Sequence, residues 1–561
     1  MRLRLRETTA LSRLITHRCG TALRRFAREE DGVLIKPTIF TFLSMLAVGG
    51  IGVDLMRMER DRTELQYTLD RAVLAAADLD QTQTPAAVVL DYLTKSGLGE
   101  YYETPSSDIG LGYRRVTSTI DTDFNAHFMN LTGVGDIPLY ASSTAEESID
   151  GLEISLVLDV SGSMNSNNRL TNLKVAAKEF IDTMVAATTD GKMSISIIPY
   201  ATQVSVPEDL FDQYNVSAEQ DYSHCVNFSS SDFNSVALPL TTSLDGTMHF
   251  SPWYSYDYRS SDGLVPYAVC SPEADREILP LQKDADTLKD FIQNLSAWGN
   301  TSIDLGMKWA TTLLDPSAQS AIQALTIGAD PSVPVDFAAR PSSYTDADTI
   351  KIVVLMTDGQ NTSQYYVHDN YRSGMSDVWW TDGPGGDTDK DRYSQYSSYY
   401  NEYYWVNRSG DDYDRGQWED HAFGDGDDLC GNSYCSYRVD EPGSPVRLSY
   451  AELWARTSLK KNYSYYGQWM GNSSAKNSWY YPVRKYYNTS TKNSRTQDIC
   501  DAAKEAGVIV YTIGFEAPSG GQAVLRDCAS SDAHYFDVDG LEISDAFASI
   551  ATSIRQLRLT Q

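Results

Sequence analysis

Five oxygen-bearing side chains stand out by type and position: Asp159, Ser161 and Ser163 in "DVSGSMN", Thr301 in "WGNTS" and Asp358 in "MTDGQ". Two carboxylates and three hydroxyls are hard donors, and such donors suit Mg2+, or Mn2+ or Ca2+ in its place. Mg2+ takes six oxygens at about 2.0–2.1 Å and commonly keeps some waters. Hydroxyl ligands bring no negative charge, so a cation held this way keeps surplus positive charge and an exchangeable position. A carboxylate from a protein partner would fill it. Unpaired, the same groups are costly to bury, so the elements carrying them have to bring them together.

Those elements are legible. "ISLVLD" is a near-continuous apolar run ending on Asp159, the pattern of a strand buried on both faces of a parallel sheet. "RLTNLKVAAKEFIDTMVAA" follows, with Leu170, Leu173, Ala177, Phe180, Ile181 and Met184 on one helical face, so the polar cluster is a strand-to-helix turn. "MSISIIPY" (193–200), "TIKIVVLMT" (349–357) and "VIVYTIGF" (508–515) read as further strands, with helices around 499–506, 522–530 and 540–557. Strands alternating with helices predict an α/β sheet, largely parallel. Ligands collect beyond the carboxyl ends of such strands, where Asp159 and Asp358 both fall.

Asp159-x-Ser161-x-Ser163, Thr301 and Thr357-Asp358-Gly359, in that order, resemble the metal-ion-dependent adhesion site of von Willebrand factor A-type domains. The usual Gly-Gly-Thr of the second loop is Gly299-Asn300-Thr301 here, which leaves the threonine in place. The resemblance implies a Rossmann-like, mostly parallel sheet with helices on both faces over 151–561. It also implies Asp159, Ser161, Ser163, Thr301 and Asp358 as ligands of one Mg2+.

Upstream, "TIFTFLSMLAVGGIGVDLM" (38–56) holds a single charge, Asp54, and is about long enough to cross a bilayer as a helix. Eight Arg against four acidic groups in residues 1–32 place that arm in the cytoplasm, and Lys36 can snorkel to the near interface. A cleaved signal peptide fits poorly, because the apolar run is followed by "RMERDRTELQ" instead of small residues. The helical period continues through Leu65, Leu69, Ala72, Val73, Ala76 and Ala77, and 110–148 reads as a few short strands. Residues 26–77, with Asp31-Gly32 before the span and Leu65-Gln66, Asp70-x-Ala72 and Leu74-Ala75-Ala76 after it, resemble the start of TadE/TadG-type tight-adherence (Tad) pilus proteins. The ending "AFASIATSIRQLRLTQ" is of that kind too. TadG-type members carry an anchored N-terminus and a von Willebrand A domain outside the inner membrane. The expected organisation is a cytoplasmic basic arm (1–32), a transmembrane anchor (33–58), a pilin-like helix with a small sheet (59–150), and the A domain (151–561) with insertions at 201–285 and 362–494.

The net charge is -30, and with the arm at +4 the remainder stands near -34. So acidic a body repels nucleic acid and anionic lipid and favours cations. Of seven Cys, Cys19 lies in the arm, while Cys225, Cys270, Cys430, Cys435, Cys500 and Cys528 lie beyond residue 200. An even set in one compartment fits export into an oxidising space. Cys430–Cys435, Cys225–Cys270 and Cys500–Cys528 are the simplest of the fifteen pairings that six cysteines allow, each closing a loop inside one structural unit. No HExxH, GxSxG or Walker lysine loop occurs, which argues against an enzyme.

The second insertion holds twenty of the 36 Tyr and seven of the ten Trp. Such residues mark binding surfaces, or else fill the core of a small Tyr-rich subdomain. Asp387, Asp389 and Asp391 are spaced like the start of a weak calcium loop, without its Gly and closing Glu.

The expected protein is a single-pass inner-membrane subunit of a Tad-type pilus system, its bulk periplasmic or surface-exposed. It binds a carboxylate-bearing protein partner through Mg2+ during pilus assembly, alongside other Tad subunits and without nucleic acid. A surface or pilus-tip adhesin is the alternative; a hydrolase hidden in 362–494 is a distant third.

Overall fold

The computed structural model describes residues 35–78, 81–110, 113–133, 135, 137–148, 151–257, 263–346, 349–382, 392–407, 416–424, 441 and 443–557. The basic arm, Cys19, Cys430, Cys435 and the aspartates at 387, 389 and 391 lie outside these residues. The chain divides into two compact units, residues 1–109 with 113–147, and residues 110–112 with 148–561.

In the first unit, helix α1 (Ile35–Ala77) runs unbroken for 43 residues and is long and apolar enough to cross a membrane. Its first turns expose Phe40, Phe42, Leu43, Met45 and Val48. Its last turns bury Leu65, Leu69, Ala72, Val73, Ala76 and Ala77, the face the period predicts. Between them, Asp54 is buried and accepts hydrogen bonds from the Phe128 and Met129 amides at 2.6 and 2.9 Å. Gly50 is needed there, since a Cβ would lie 2.6 Å from the Phe128 ring. Helix α2 (Pro85–Lys95) starts on Pro85, with the Thr84 hydroxyl capping the Ala87 amide. A sheet in the order β1 (Ser106–Gly110), β2 (Tyr113–Phe124), β3 (Ile137–Ser148) completes the unit.

The second unit is a mixed α/β fold. Its strands and helices run β4 (Gly151–Asp159), α3 (Arg169–Ala186), β5 (Met193–Tyr200), α4 (Glu208–Phe211), β6 (Val226–Asn227), β7 (Asp245–Gly246), β8 (Leu279–Gln282), α5 (Ala285–Asn294), α6 (Ile303–Thr312), α7 (Gln319–Leu325), β9 (Thr349–Thr357) and β10 (Gln364–Val367). After those come β11 (Met375–Thr381), β12 (Arg392–Ser397), β13 (Glu402–Trp405), β14 (Gln417–Glu419), β15 (Pro445–Ser449), α8 (Tyr450–Arg456), α9 (Leu459–Met470), α10 (Asn472–Trp479) and β16 (Arg484–Tyr487). The chain closes with α11 (Thr489–Glu505), β17 (Ile509–Phe515), α12 (Ser519–Cys528), β18 (Tyr535–Val538) and α13 (Glu542–Leu557).

The central sheet has the order β18-β17-β9-β4-β5-β8 and is parallel except for β8 at the edge. Every residue of β4 and β5 is buried, so both faces are covered. Val157, Val353 and Leu355 pack with α6, α7, α11 and α12 in one core. On α3 and α13, Phe180 and Phe547 meet at 5.6 Å between ring centroids.

Two boundaries differ from the sequence reading. The span 201–285 contains β8, a four-residue strand whose proline suits an edge and whose brevity hides it from periodicity. Helix α11 begins at Thr489, where hydropathy extends the insertion to 494. Its first turns are polar, yet Lys492, Arg495 and Thr496 are buried because they find partners there.

The second insertion leaves through β10, returns through β16, and these two strands pair antiparallel as a ribbon. Beyond it stand the antiparallel sheet β14-β13-β12-β11-β15 and α8–α10. Trp380, Tyr393, Trp454, Tyr465 and Tyr466 fill its core. The insertion is therefore a subdomain that buries many of its own rings, while Tyr399, Tyr400, Tyr481 and Tyr486 are exposed. Disulfides join Cys225 to Cys270 and Cys500 to Cys528.

Candidate cation site

Strands β4 and β9 are neighbours in parallel register, Leu158 opposite Met356, so Asp159 and Asp358 come off adjacent carboxyl ends. Asp159 turns its carboxylate back on the loops: one oxygen accepts from the Ser161 amide at 2.7 Å, the other from the Thr357 hydroxyl at 2.5 Å. The Ser161 and Ser163 hydroxyls are 3.1 Å apart, and Ser163 donates to Asp358 Oδ1 at 2.7 Å. Thr301 reaches the same place from the loop before α6. A Cβ built on Gly359 would lie 3.5 Å from Thr301 Oγ1 and 3.9 Å from Ser163 Oγ, so the glycine faces both hydroxyls. The structure thus brings all five sequence-predicted residues to one loop cluster.

The Thr301 loop depends on two departures from ordinary chain. Gly299 has φ +94, and a Cβ there would meet the Thr202 hydroxyl at 2.8 Å. Asn300, the residue that departs from Gly-Gly-Thr, uses the side chain a glycine would lack: it donates to the Ser363 carbonyl at 2.7 Å, and the Asn300 amide donates to Thr202 Oγ1 at 2.8 Å. It stitches the loop after β9 to the loop before α6.

The donor chemistry fits a hard divalent cation. Neighbouring oxygens around an octahedral ion at about 2.1 Å lie roughly 3 Å apart, and the hydroxyl and carboxylate oxygens here stand 2.7–3.1 Å from one another. Burial, and then the charge of Asp358, push the Asp159 carboxyl up to about 7, against hydrogen bonds from Thr357 and Ser161. Burial raises Asp358 as well, with Ser163 and Arg169 pulling it back. Two carboxylates crowded in this way gain from any cation placed between them.

Thr357, which stands in the motif beside Asp358, bonds Asp159 directly. Two contributors escape a motif reading. Arg169, at the start of α3, donates to Asp358 Oδ2 at 2.9 Å and to Glu516 Oε2 at 2.8 Å. Glu516 follows the carboxyl end of β17 with φ +53, and Arg169 holds its carboxyl below the usual range. A polar residue just past another parallel strand was the available signal for Glu516. Arg169 had none beyond its proximity to the turn.

Comparison with known proteins bears first on the N-terminal region. Residues 36–79 match the family described as "Putative Flp pilus-assembly TadE/G-like". No curated protein matches the chain. Among solved structures the chain is similar to the vWF domain of the type V pili tip protein Mfa5 from Porphyromonas gingivalis, at 14% identity over 72% of this chain and 95% of that one, TM-score 0.29. It is similar to the pilus adhesin SpaC from Lactobacillus rhamnosus GG, at 12% identity over 81% and 33%, TM-score 0.30. It is also similar to proximal thread matrix protein 1 from the mussel byssus, in a structure with a zinc-occupied MIDAS motif, at 11% identity over 73% and 46%, TM-score 0.25. At such identities and TM-scores these are resemblances and nothing more.

Proposed function

We propose that this chain is a non-enzymatic, membrane-anchored subunit of a Tad-type pilus system. Its second unit is a von Willebrand A-type domain that binds a protein partner through a cation-bridged carboxylate during pilus assembly. The observation that carries the reading is the convergence of Asp159, Ser161, Ser163, Thr301 and Asp358 at the carboxyl ends of adjacent parallel strands. When bound, Mg2+ would supply a charged, exchangeable position for the partner's carboxylate. The residues of this chain do the rest: Ser161, Ser163 and Thr301 present neutral oxygens, and Asp159 and Asp358 supply the charge. The family match over 36–79 supports the pilus context, and α1, with its exposed apolar first turns, supports a single-pass inner-membrane anchor with the N-terminus inside.

An adhesin role is the second reading. It is favoured by the aromatic subdomain, which rises from Gln364 just after Asp358 and keeps Tyr399 and Tyr400 exposed.

Asp159→Ala separates the two. In the full chain, Mg2+ at a hundredfold excess over its Kd should stabilise the wild type by roughly 3 kcal/mol, and the substitution should remove that gain. On cells, assembly predicts that Asp159→Ala removes the pili. Normal pili that no longer attach, seen by electron microscopy with an adhesion assay, would replace assembly by adhesion.

A further inference from the structure

We propose that Lys492 is a positioning residue of the cation site, anchoring the loops of Thr301 and Asp358 to the helix that brings the second insertion back into the fold. The inference rests on the cation reading above. Lys492 is fully buried in the first turn of α11. Its ammonium donates to the Thr301 carbonyl at 2.7 Å, the Ser302 hydroxyl at 2.6 Å and the Thr362 carbonyl at 2.8 Å. Those are three acceptors for the three donors of an ammonium, taken from two loops. One loop carries Thr301 into α6, and the other follows Asp358.

A second tie runs beside it. The Asn361 side chain accepts from the Ile303 amide at 2.8 Å and donates to Asn493 and Thr496 of α11, each at 3.0 Å. The buried Asp304 carboxylate, faced by Arg495 at 3.9 Å, lies close enough to offset the charge of Lys492. A buried ammonium is costly, and an apolar side chain would serve packing as well. What an apolar residue would not do is hold two separate loops by their backbone oxygens. The helix follows directly on β16, with Asn488 capping the Thr491 amide, so the ribbon of the insertion and the liganding loops share one anchor.

The rival reading is a buried polar network that only stabilises the fold, and Lys308 supplies the control. It is as buried as Lys492, but its ammonium bonds the Ser235 and Ala237 carbonyls, far in sequence from the liganding residues. Mg2+ binding to the full-length chain in detergent is measured by titration calorimetry for wild type, Lys492→Met, Lys308→Met and Thr496→Val. Lys492→Met should weaken Mg2+ about tenfold or more, the loss typical when a group orienting a metal ligand is removed. Lys308→Met should lower the melting temperature yet leave Mg2+ affinity within about twofold. Thr496→Val, which cuts only the neighbouring tie, should weaken binding in the same direction by less, and decides the matter if Lys492→Met does not fold. Unaltered Mg2+ affinity in Lys492→Met, or in Thr496→Val when it stands alone, overturns the inference, as does an equal loss in Lys308→Met. A wild type that takes up no Mg2+ removes the cation reading itself, and this inference with it.

Discussion

Arg169 lets Asp358 stand beside Asp159. Both carboxylates are pushed up by burial, and the guanidinium, shared with Glu516, is the positive charge that eases the crowding on Asp358. Arg169→Ala should therefore cost roughly 2 kcal/mol without added metal, since it strands two carboxylates, one of them buried. Millimolar Mg2+ should restore most of that, because the cation relieves the same repulsion. Equal losses with and without Mg2+ in thermal unfolding would contradict this account. His249 makes a separate pH dependence. Burial lowers it from 6.5 to about 4, so the native protein keeps it neutral where the unfolded chain protonates it. Its contribution is fully present above pH 6.5 and is lost as pH falls towards 4, by up to roughly 3 kcal/mol. Denaturant titrations at several pH values should show a shallower slope over that window for His249→Gln than for wild type.

At the scale of elements, each candidate site residue sits at the edge of a regular element, where one stops or the next begins. β4 and β9 are continuous buried runs that place their terminal carboxylates side by side, and α6 begins just beyond Thr301. The first insertion is closed by Cys225–Cys270 across 45 residues, with Ser205 bonding both Cys225 and the Ser271 carbonyl. Cross-linking a loop of that length limits the unfolded chain, worth up to about 4 kcal/mol by chain entropy. The double substitution Cys225→Ser/Cys270→Ser should lower stability in that range. A melting temperature unchanged from wild type would mean that the bridge contributes nothing beyond what the insertion's packing already fixes.

At the scale of the whole molecule, α1 and the candidate cation site lie in separate compact units. A reporter active only outside the cytoplasm, fused after residue 80, should be active and stay in the membrane fraction. A soluble, processed fusion would rule out an uncleaved anchor. The acidity of the remainder, near -34 once the arm is set aside, acts at longer range: such a body draws divalent cations towards it and repels acidic partners at a distance. On the proposed reading, a partner's carboxylate would be admitted only at the cation, where the negative charge of Asp159 and Asp358 would be offset.

The local features of this protein are written in its sequence. Apolar runs ending on Asp159 and Asp358, the 3.6-residue period of α1 and the hydroxyls clustered after β4 are statements about neighbouring residues, and each reappears in the structure. Two of the three expected disulfides, those whose cysteines are described, are present, each closing a loop inside one structural unit. Tertiary structure decided the rest. Ser163 meets Asp358 across 195 positions, and Arg169 meets Glu516 across 347, only because β4, β9 and β17 lie side by side in the sheet. Strand order is a property of long-range packing, and no periodicity encodes it. The polar start of α11 read as insertion because Lys492 resembles a solvated residue until its partners are known. The tyrosines were equally ambiguous: a ring with a hydroxyl suits core and surface alike, and only the packed subdomain shows which rings are covered.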